Sequence, residues 1–397
     1  MTGYDPVILF GIVVALALNF FNGLMDAAQG VATIVATRAL SPGKAVFFTG
    51  ICNMAGAFIF TTAVAATIGT AIVHPDAFTP LTIIIAMLAS TTLVFCASRL
   101  GLPLSSSHAL IGGLLGSSIA AFGLAAVIFP AWEVIGQVVT WGLFGAAVGA
   151  FTVGCIVGAL DGDIRPALLA GAVSGAAFAI PVLMVLGILR ITGLLAVVLF
   201  IFISPILGAV IAFLFDVIIS QLFKHSRRNR MKRIFTPLQI VACLFQATSH
   251  GANDGMHAVG VITALLVSGG ILAAFTVPTW VLLLSAIAIG AGTCFGGWKV
   301  VDRLAKGITK IRPYQGFCAA TAGSTTLALV TAQGIPVSSN YVISGAIVGV
   351  GVTRGKNAVQ WRVVREMMTA WVITIPLAAI CAFAGYLLFV TVYPVLL

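Results

Sequence analysis

The chain has 397 residues, of which 60% are apolar and 8% charged, against roughly 25% charged residues in a soluble domain. This excludes a soluble enzyme, and it excludes a disordered chain, which would be poor in apolar residues. An outer-membrane barrel is excluded as well, because its strands alternate apolar and polar residues, whereas these runs are apolar on every side. Twenty Lys and Arg stand against ten Asp and Glu, and fifteen of the twenty lie in three short stretches: six in 224–233, five in 299–312 and four in 354–365. Cytoplasmic loops of membrane proteins carry such an excess, so the charge reads as topology, with lipid head groups as its other partner and no role for nucleic acid.

A membrane-crossing helix needs about 20 apolar residues. In chain order, apolar runs fall at 7–37, 45–72, 79–98, 103–130, 132–158, 166–189, 192–222, 236–267, 271–298, 315–333, 336–353 and 367–394. The N-terminus lacks the basic n-region of a cleaved signal, so the first run is expected as a retained span. If each run crosses once and both termini lie outside, nineteen of the twenty basic residues fall inside, Arg190 being the exception. The expected fold is therefore an all-α polytopic protein of the cytoplasmic (inner) membrane with about 12 membrane segments. It divides into a first half (1–222), a basic cytoplasmic loop (223–235) and a second half (236–397).

Several runs carry polar clusters that lipid would penalise, and two of these hold a carboxylate: Asp26 in Asn22-Gly23-Leu24-Met25-Asp26, and Asp254 in His250-Gly251-Ala252-Asn253-Asp254. An ionisable group at membrane depth costs at least roughly 2.5 to 3.5 kcal/mol on insertion scales and reads as functional by default. The two strings align at an offset of 228 residues. A second pair, Gly101-Leu102-Pro103-Leu104-Ser105-Ser106-Ser107-His108 and Gly334-Ile335-Pro336-Val337-Ser338-Ser339-Asn340-Tyr341, aligns at an offset of 233. Two motifs recurring in order imply a duplication. On the topology above the halves are inverted, as in secondary transporters, where broken helices or re-entrant hairpins from both halves meet near the midplane.

Each Ser-rich run follows a proline and precedes a helix-forming stretch, which places it at a helix N-terminus, an anion-binding position. The anion is expected on Ser105, Ser106, Ser107, Ser338, Ser339 and Asn340, with Asn22 and Asn253. Gln29 and His257 each lie three residues after an aspartate, on the same helix face, and join the set as donors, with proton carriage the alternative role for His257. Neither lysine nor arginine lies in these segments. Two carboxylates and an anion in one low-dielectric site repel by several kcal/mol per close pair unless cations enter with the anion, so Asp26 and Asp254 are expected to hold a coupling cation, Na+ or H+. The seven cysteines are scattered without metal or redox spacing, and no hydrolase, metalloprotease or nucleotide-binding motif is present. A non-enzymatic transporter without a resident cofactor is the reading that remains.

These strings resemble the inorganic phosphate transporter (PiT) family. Gly251-Ala252-Asn253-Asp254 is similar to its GAND signature, the Asn22 to Asp26 string to its first-half counterpart, and the two Ser-rich strings to its paired hairpins. The resemblance implies a cation-coupled phosphate symporter with about twelve segments, two inverted repeats and a homodimeric assembly. The chain departs from the family pattern at Gln29, His257, Asn340 and Tyr341, around one pocket. That keeps two alternatives open: a symporter of another tetrahedral oxyanion such as sulfate, and a passive anion channel.

Overall fold

A computed structural model describes residues 5–100, 104–159, 161–296 and 308–392; the side chains of residues 27–29, 32 and 98 also lie outside the described set. The described residues form thirteen α-helices: α1 (Pro6–Ala36), α2 (Pro42–Ile59), α3 (Ala63–Thr70), α4 (Pro80–Leu100), α5 (Ser106–Phe122), α6 (Trp132–Ala159), α7 (Ile164–Val185), α8 (Gly193–Leu222), α9 (Arg228–Ser268), α10 (Thr279–Phe295), α11 (Pro313–Ala332), α12 (Ser339–Val352) and α13 (Trp361–Val392). No strand occurs among the described residues beyond an isolated bridge between Val73 and Val127.

Each of the twelve apolar runs falls on one of these helices, with α2 and α3 sharing the second. Their lengths sort them into two kinds. Six helices (the N-terminal part of α1, α4, α6, α7, α8 and α13) are long and apolar enough to cross a membrane, and α2 with α3, bent by 75° at their break, would make a seventh. Helices α5, α10 and α12, at 17, 17 and 14 residues, are shorter than the roughly 20 residues a crossing needs. The stretch expected as a basic loop at 223–235 is only partly a loop, because α9 begins at Arg228 and runs unbroken for 41 residues. Its N-terminal turns carry a continuous helical pattern through Met231, Ile234 and Phe235, which pack into the core formed with Phe223 and Tyr314.

Large apolar side chains cover the outside of the molecule, among them Phe151, Leu169 and Ile380, each more than 60% exposed. An apolar exterior of this extent suits lipid rather than water as the solvent. Inside, the two short motif helices sit against long neighbours through small residues. A Cβ on Gly112 or Gly116 of α5 would lie 2.4 Å from Ile375 O or 2.0 Å from Ala379 O of α13. One on Gly345 or Gly349 of α12 would lie 2.0 Å from Pro205 O or 2.1 Å from Ala209 O of α8. Glycines four apart share one helix face and let two backbones meet where lipid gives no hydrophobic drive for association. In the same manner α1 packs on α10 and α9 packs on α2, so each aspartate-bearing helix leans on a helix from the other half of the chain.

Candidate functional site

Asp26 lies in α1 and Asp254 in α9, both buried, and His250 joins them. Its Nε2 is 3.2 Å from Asp26 Oδ2 and 3.0 Å from Asp254 Oδ2. Its other nitrogen, Nδ1, is 2.9 Å from Asn53 Oδ1 on α2, which fixes the ring from behind. His250 and Asp254 stand four residues apart, on one face of α9. The ligand atoms of Asp26, His250 and Asp254 lie within 4.8 Å of one another, a group that could hold a cation.

The two Ser-rich runs reach this centre as helix N-termini. Ser105 caps α5, its Oγ accepting from His108 N at 3.2 Å, and Ser338 is the N-cap of α12. The next residue of each run touches the aspartate motif of its own half, and Asn340 crosses to that of the other half. Ser106 Oγ donates to Asn22 Oδ1 at 2.5 Å, and Asn22 Nδ2 donates to the Asp254 carbonyl at 3.4 Å. Ser339 Oγ donates to Asp254 Oδ2 at 2.8 Å, and Asn340 Nδ2 donates to Asp26 Oδ1 at 2.5 Å. Of the twelve predicted residues, Asn22, Asp26, Ser106, Asp254, Ser339 and Asn340 therefore form one hydrogen-bonded set.

The others take different places. Asn253 faces away from the carboxylates: its Nδ2 donates to Thr331 Oγ1 at 2.8 Å and to Ile335 O at 3.1 Å, and its Oδ1 accepts from Val337 N at 3.3 Å. It braces the chain just before α12 rather than offering a free donor. Ser107 and His257 are buried, and Ser107 Oγ and both ring nitrogens of His257 have no partner among the described residues, a condition shared by Asp254 Oδ1 and Asn340 Oδ1. The side chain of Gln29, residues 101–103 of the first hairpin string and residues 299–306 of the second basic stretch lie outside the described residues.

Sequence reasoning missed three contributors and one further buried carboxylate that lies apart from the centre. His250 stood inside a quoted motif, yet only assembly of α1 against α9 sets it between both carboxylates. Asn53 and Thr331 carried the weaker signal of single polar residues in apolar helices. Asp216 is a third buried carboxylate, in α8, accepting a hydrogen bond from Thr353 at the end of α12, and it was hidden by the apolarity of its surroundings.

His108 and Tyr341, the last residues of the two aligned strings, meet each other: His108 Nδ1 is 3.0 Å from Tyr341 Oη, which donates to Trp371 O at 3.4 Å while the Tyr341 and Trp371 rings stack at 4.2 Å. Tyr341→Phe keeps the stack and removes this bridge between the strings' ends, leaving a buried imidazole nitrogen unpartnered. A loss of about 1–3 kcal/mol is expected, read as a lower melting temperature in detergent; an unchanged melting temperature would show the bridge to be unimportant.

The donors and acceptors gathered here suit an oxyanion and a cation held side by side: hydroxyls, an amide and two helix N-termini for the first, two carboxylates and an imidazole for the second. The chain matches the model of the phosphate transporter family (PHO4) over residues 22–161 and 167–382. It is 36% identical over 385 residues to a "Probable low-affinity inorganic phosphate transporter" of Rhizobium meliloti, covering 96% of this chain and 97% of that one. To a protein of the same description in Bacillus subtilis it is 30% identical over 378 residues, covering 94% and 95%. A solved structure titled "The sodium-dependent phosphate transporter" has the same fold, with a TM-score of 0.68 at 23% identity over 97% of this chain and 99% of the other. These relatives are transporters and not enzymes, and with the family model matching almost the whole length, the chain belongs to the phosphate transporter family.

Proposed function

We propose that this protein is a symporter that carries inorganic phosphate together with Na+ or H+ across the cytoplasmic membrane. The observation that carries the reading is the set of buried, unpartnered polar atoms around the two carboxylates: Ser107 Oγ, Asp254 Oδ1, Asn340 Oδ1 and both nitrogens of His257. Leaving a buried polar group unpartnered costs about 1–3 kcal/mol, so a network that keeps several of them is arranged for guests that complete it. Asn22, Ser106, Ser107, Ser339, Asn340 and His257 supply the neutral donors that hold the anion, with Gln29 on the same face of α1. Asp26 and Asp254 hold the cation, which offsets the repulsion between two carboxylates and an incoming phosphate.

The two halves are read as inverted repeats of twelve membrane segments in all. Support comes from matched placements: α1 with α5 and α9 with α12 carry the paired motifs, and each short helix rests its glycine face on a long one. The described parts of the basic stretches gather at one end, where Lys224, Arg228, Lys232 and Arg312 line one cleft and Arg354 donates to Lys310 O. That end is assigned to the cytoplasm by the positive-inside rule, which puts both termini outside. The protein works as a homodimer on this reading.

Uptake of labelled phosphate into proteoliposomes tests the proposal, with an inward Na+ gradient, an inward H+ gradient or neither, and with unlabelled sulfate as competitor. Accumulation above equilibrium under one gradient, unaffected by excess sulfate, is the expected result and names the coupling ion. Flux that only equilibrates would make the protein a channel, and full competition by sulfate would move the substrate to another oxyanion.

A further inference from the structure

Where the C-terminal ends of α1 and α8 meet the N-terminal ends of α9 and α11, the structure forms a half-open cleft of about 810 Å³ at the basic end of the molecule. Lys224, Arg228, Lys232 and Arg312 line it, and no Asp or Glu does. None of the four has an ion-pair partner among the described residues. The first turns of two helices also border the space: Arg228 and Asn229 open α9, and Pro313 and Tyr314 open α11. A helix's first N–H groups have no partner within the helix and carry a partial positive charge; those of α9 have no side-chain cap, whereas at α11 Pro313 has no N–H and Arg312 N already donates to Gln315 Oε1 at 3.2 Å. Topology explains why basic residues lie on this side of the membrane, but it does not explain why four converge on a concavity with two helix starts.

We infer that this cavity is a second anion site, separate from the transport centre, and that it binds an organic phosphate carrying two or more negative charges. Among the described residues the one counter-charge felt by these four is Asp216, buried in α8 near Arg312; a single carboxylate leaves the four cations repelling one another, and a multiply charged phosphate relieves that repulsion while accepting the fork-like donors of Arg228 and Arg312. The cleft has room for more than a bare phosphate ion, since clefts of roughly 300–1,000 Å³ take whole organic ligands. Phe223 and Tyr314 give the site an apolar wall for the non-phosphate part, whether a nucleotide base or the glycerol region of a lipid. An occupant would tie together the ends of α1 and α9, the two helices that carry Asp26 and Asp254, and so would restrain their relative movement.

The test measures the melting temperature of the full-length protein in a neutral detergent with ATP, with cardiolipin or with phosphatidylcholine. A ligand at about one hundred times its Kd is expected to raise the melting temperature by a few degrees. ATP, cardiolipin or both should do so, the responding probe showing whether the source is soluble or lipid, and the rise should vanish in K224Q/R228Q/K232Q/R312Q. Should that variant fail to fold, R228Q/R312Q removes one cation from each helix start and is expected to weaken the rise by more than half. Asp254→Asn should keep the full rise, which separates this site from the transport centre. No rise with either anionic probe, an equal rise with phosphatidylcholine, or a rise undiminished in the Gln variants would overturn the inference.

Discussion

Asp254→Asn is expected to lower cation-driven phosphate uptake at least about a hundredfold, because it removes a buried charge that anchors two hydrogen bonds, each worth about 1.5–3 kcal/mol to a charged group. Asp254 Oδ2 accepts from Ser339 Oγ at 2.8 Å and lies 3.0 Å from His250 Nε2, so it ties α12 and the imidazole to α9. The amide keeps the size of the side chain but cannot balance a cation. Asp26→Asn should behave alike, since Asp26 stands on the other side of the same imidazole and accepts from Asn340 Nδ2. Uptake is the measurement, with the melting temperature as the control for folding. If both variants fold and either one retains gradient-driven accumulation at the wild-type rate, the carboxylates do not couple transport.

The largest effect on stability is expected from Gly251→Ala. The added Cβ would lie 1.8 Å from the Asn53 backbone oxygen and 2.7 Å from its carbonyl carbon, and neither atom can move without the whole of α2. The two helices must separate, which also stretches the 2.9 Å contact between His250 Nδ1 and Asn53 Oδ1. Overpacking of this kind costs about 3 kcal/mol, the upper part of its usual range. Gly255→Ala, one turn further along α9, is the matched control, because its nearest neighbour would be Ile289 Cγ2 at 3.8 Å, an ordinary contact. The expected outcome is a melting temperature lowered by several degrees in the first variant and unchanged or raised in the second, alanine being the better helix former. Equal behaviour of the two would show that the close approach of α2 and α9 is not needed.

Much of this protein is legible in its amino-acid sequence. Twelve apolar runs became helices because the preference of a segment for lipid is a local sum over its own side chains, and charge between the runs is equally local. The Ser-rich strings could be placed at helix starts because proline followed by hydroxyl residues favours those positions through short-range geometry, and α5 and α12 begin at Ser106 and Ser339. The alignment of the two aspartates also needed nothing but the order of residues. Local reasoning went too far at 223–235, where charge suggested a loop and the apolar face of Met231, Ile234 and Phe235 instead extended α9 to Arg228.

Tertiary structure decided which of the motif residues meet. Asn253 and Asn22 look equivalent in their strings, yet Asn22 joins Ser106 and the Asp254 carbonyl while Asn253 braces the start of α12. His250 became the link between the carboxylates, and Asn53 its support, through contacts spanning 224 and 197 residues of chain. Such contacts depend on how closely the helix backbones approach, at points such as Gly251 and Gly345, and on how far each helix is turned about its own axis. A rotation of a fraction of a turn would leave every local preference satisfied and the carboxylates apart, and for that reason the centre exists only in the packed molecule.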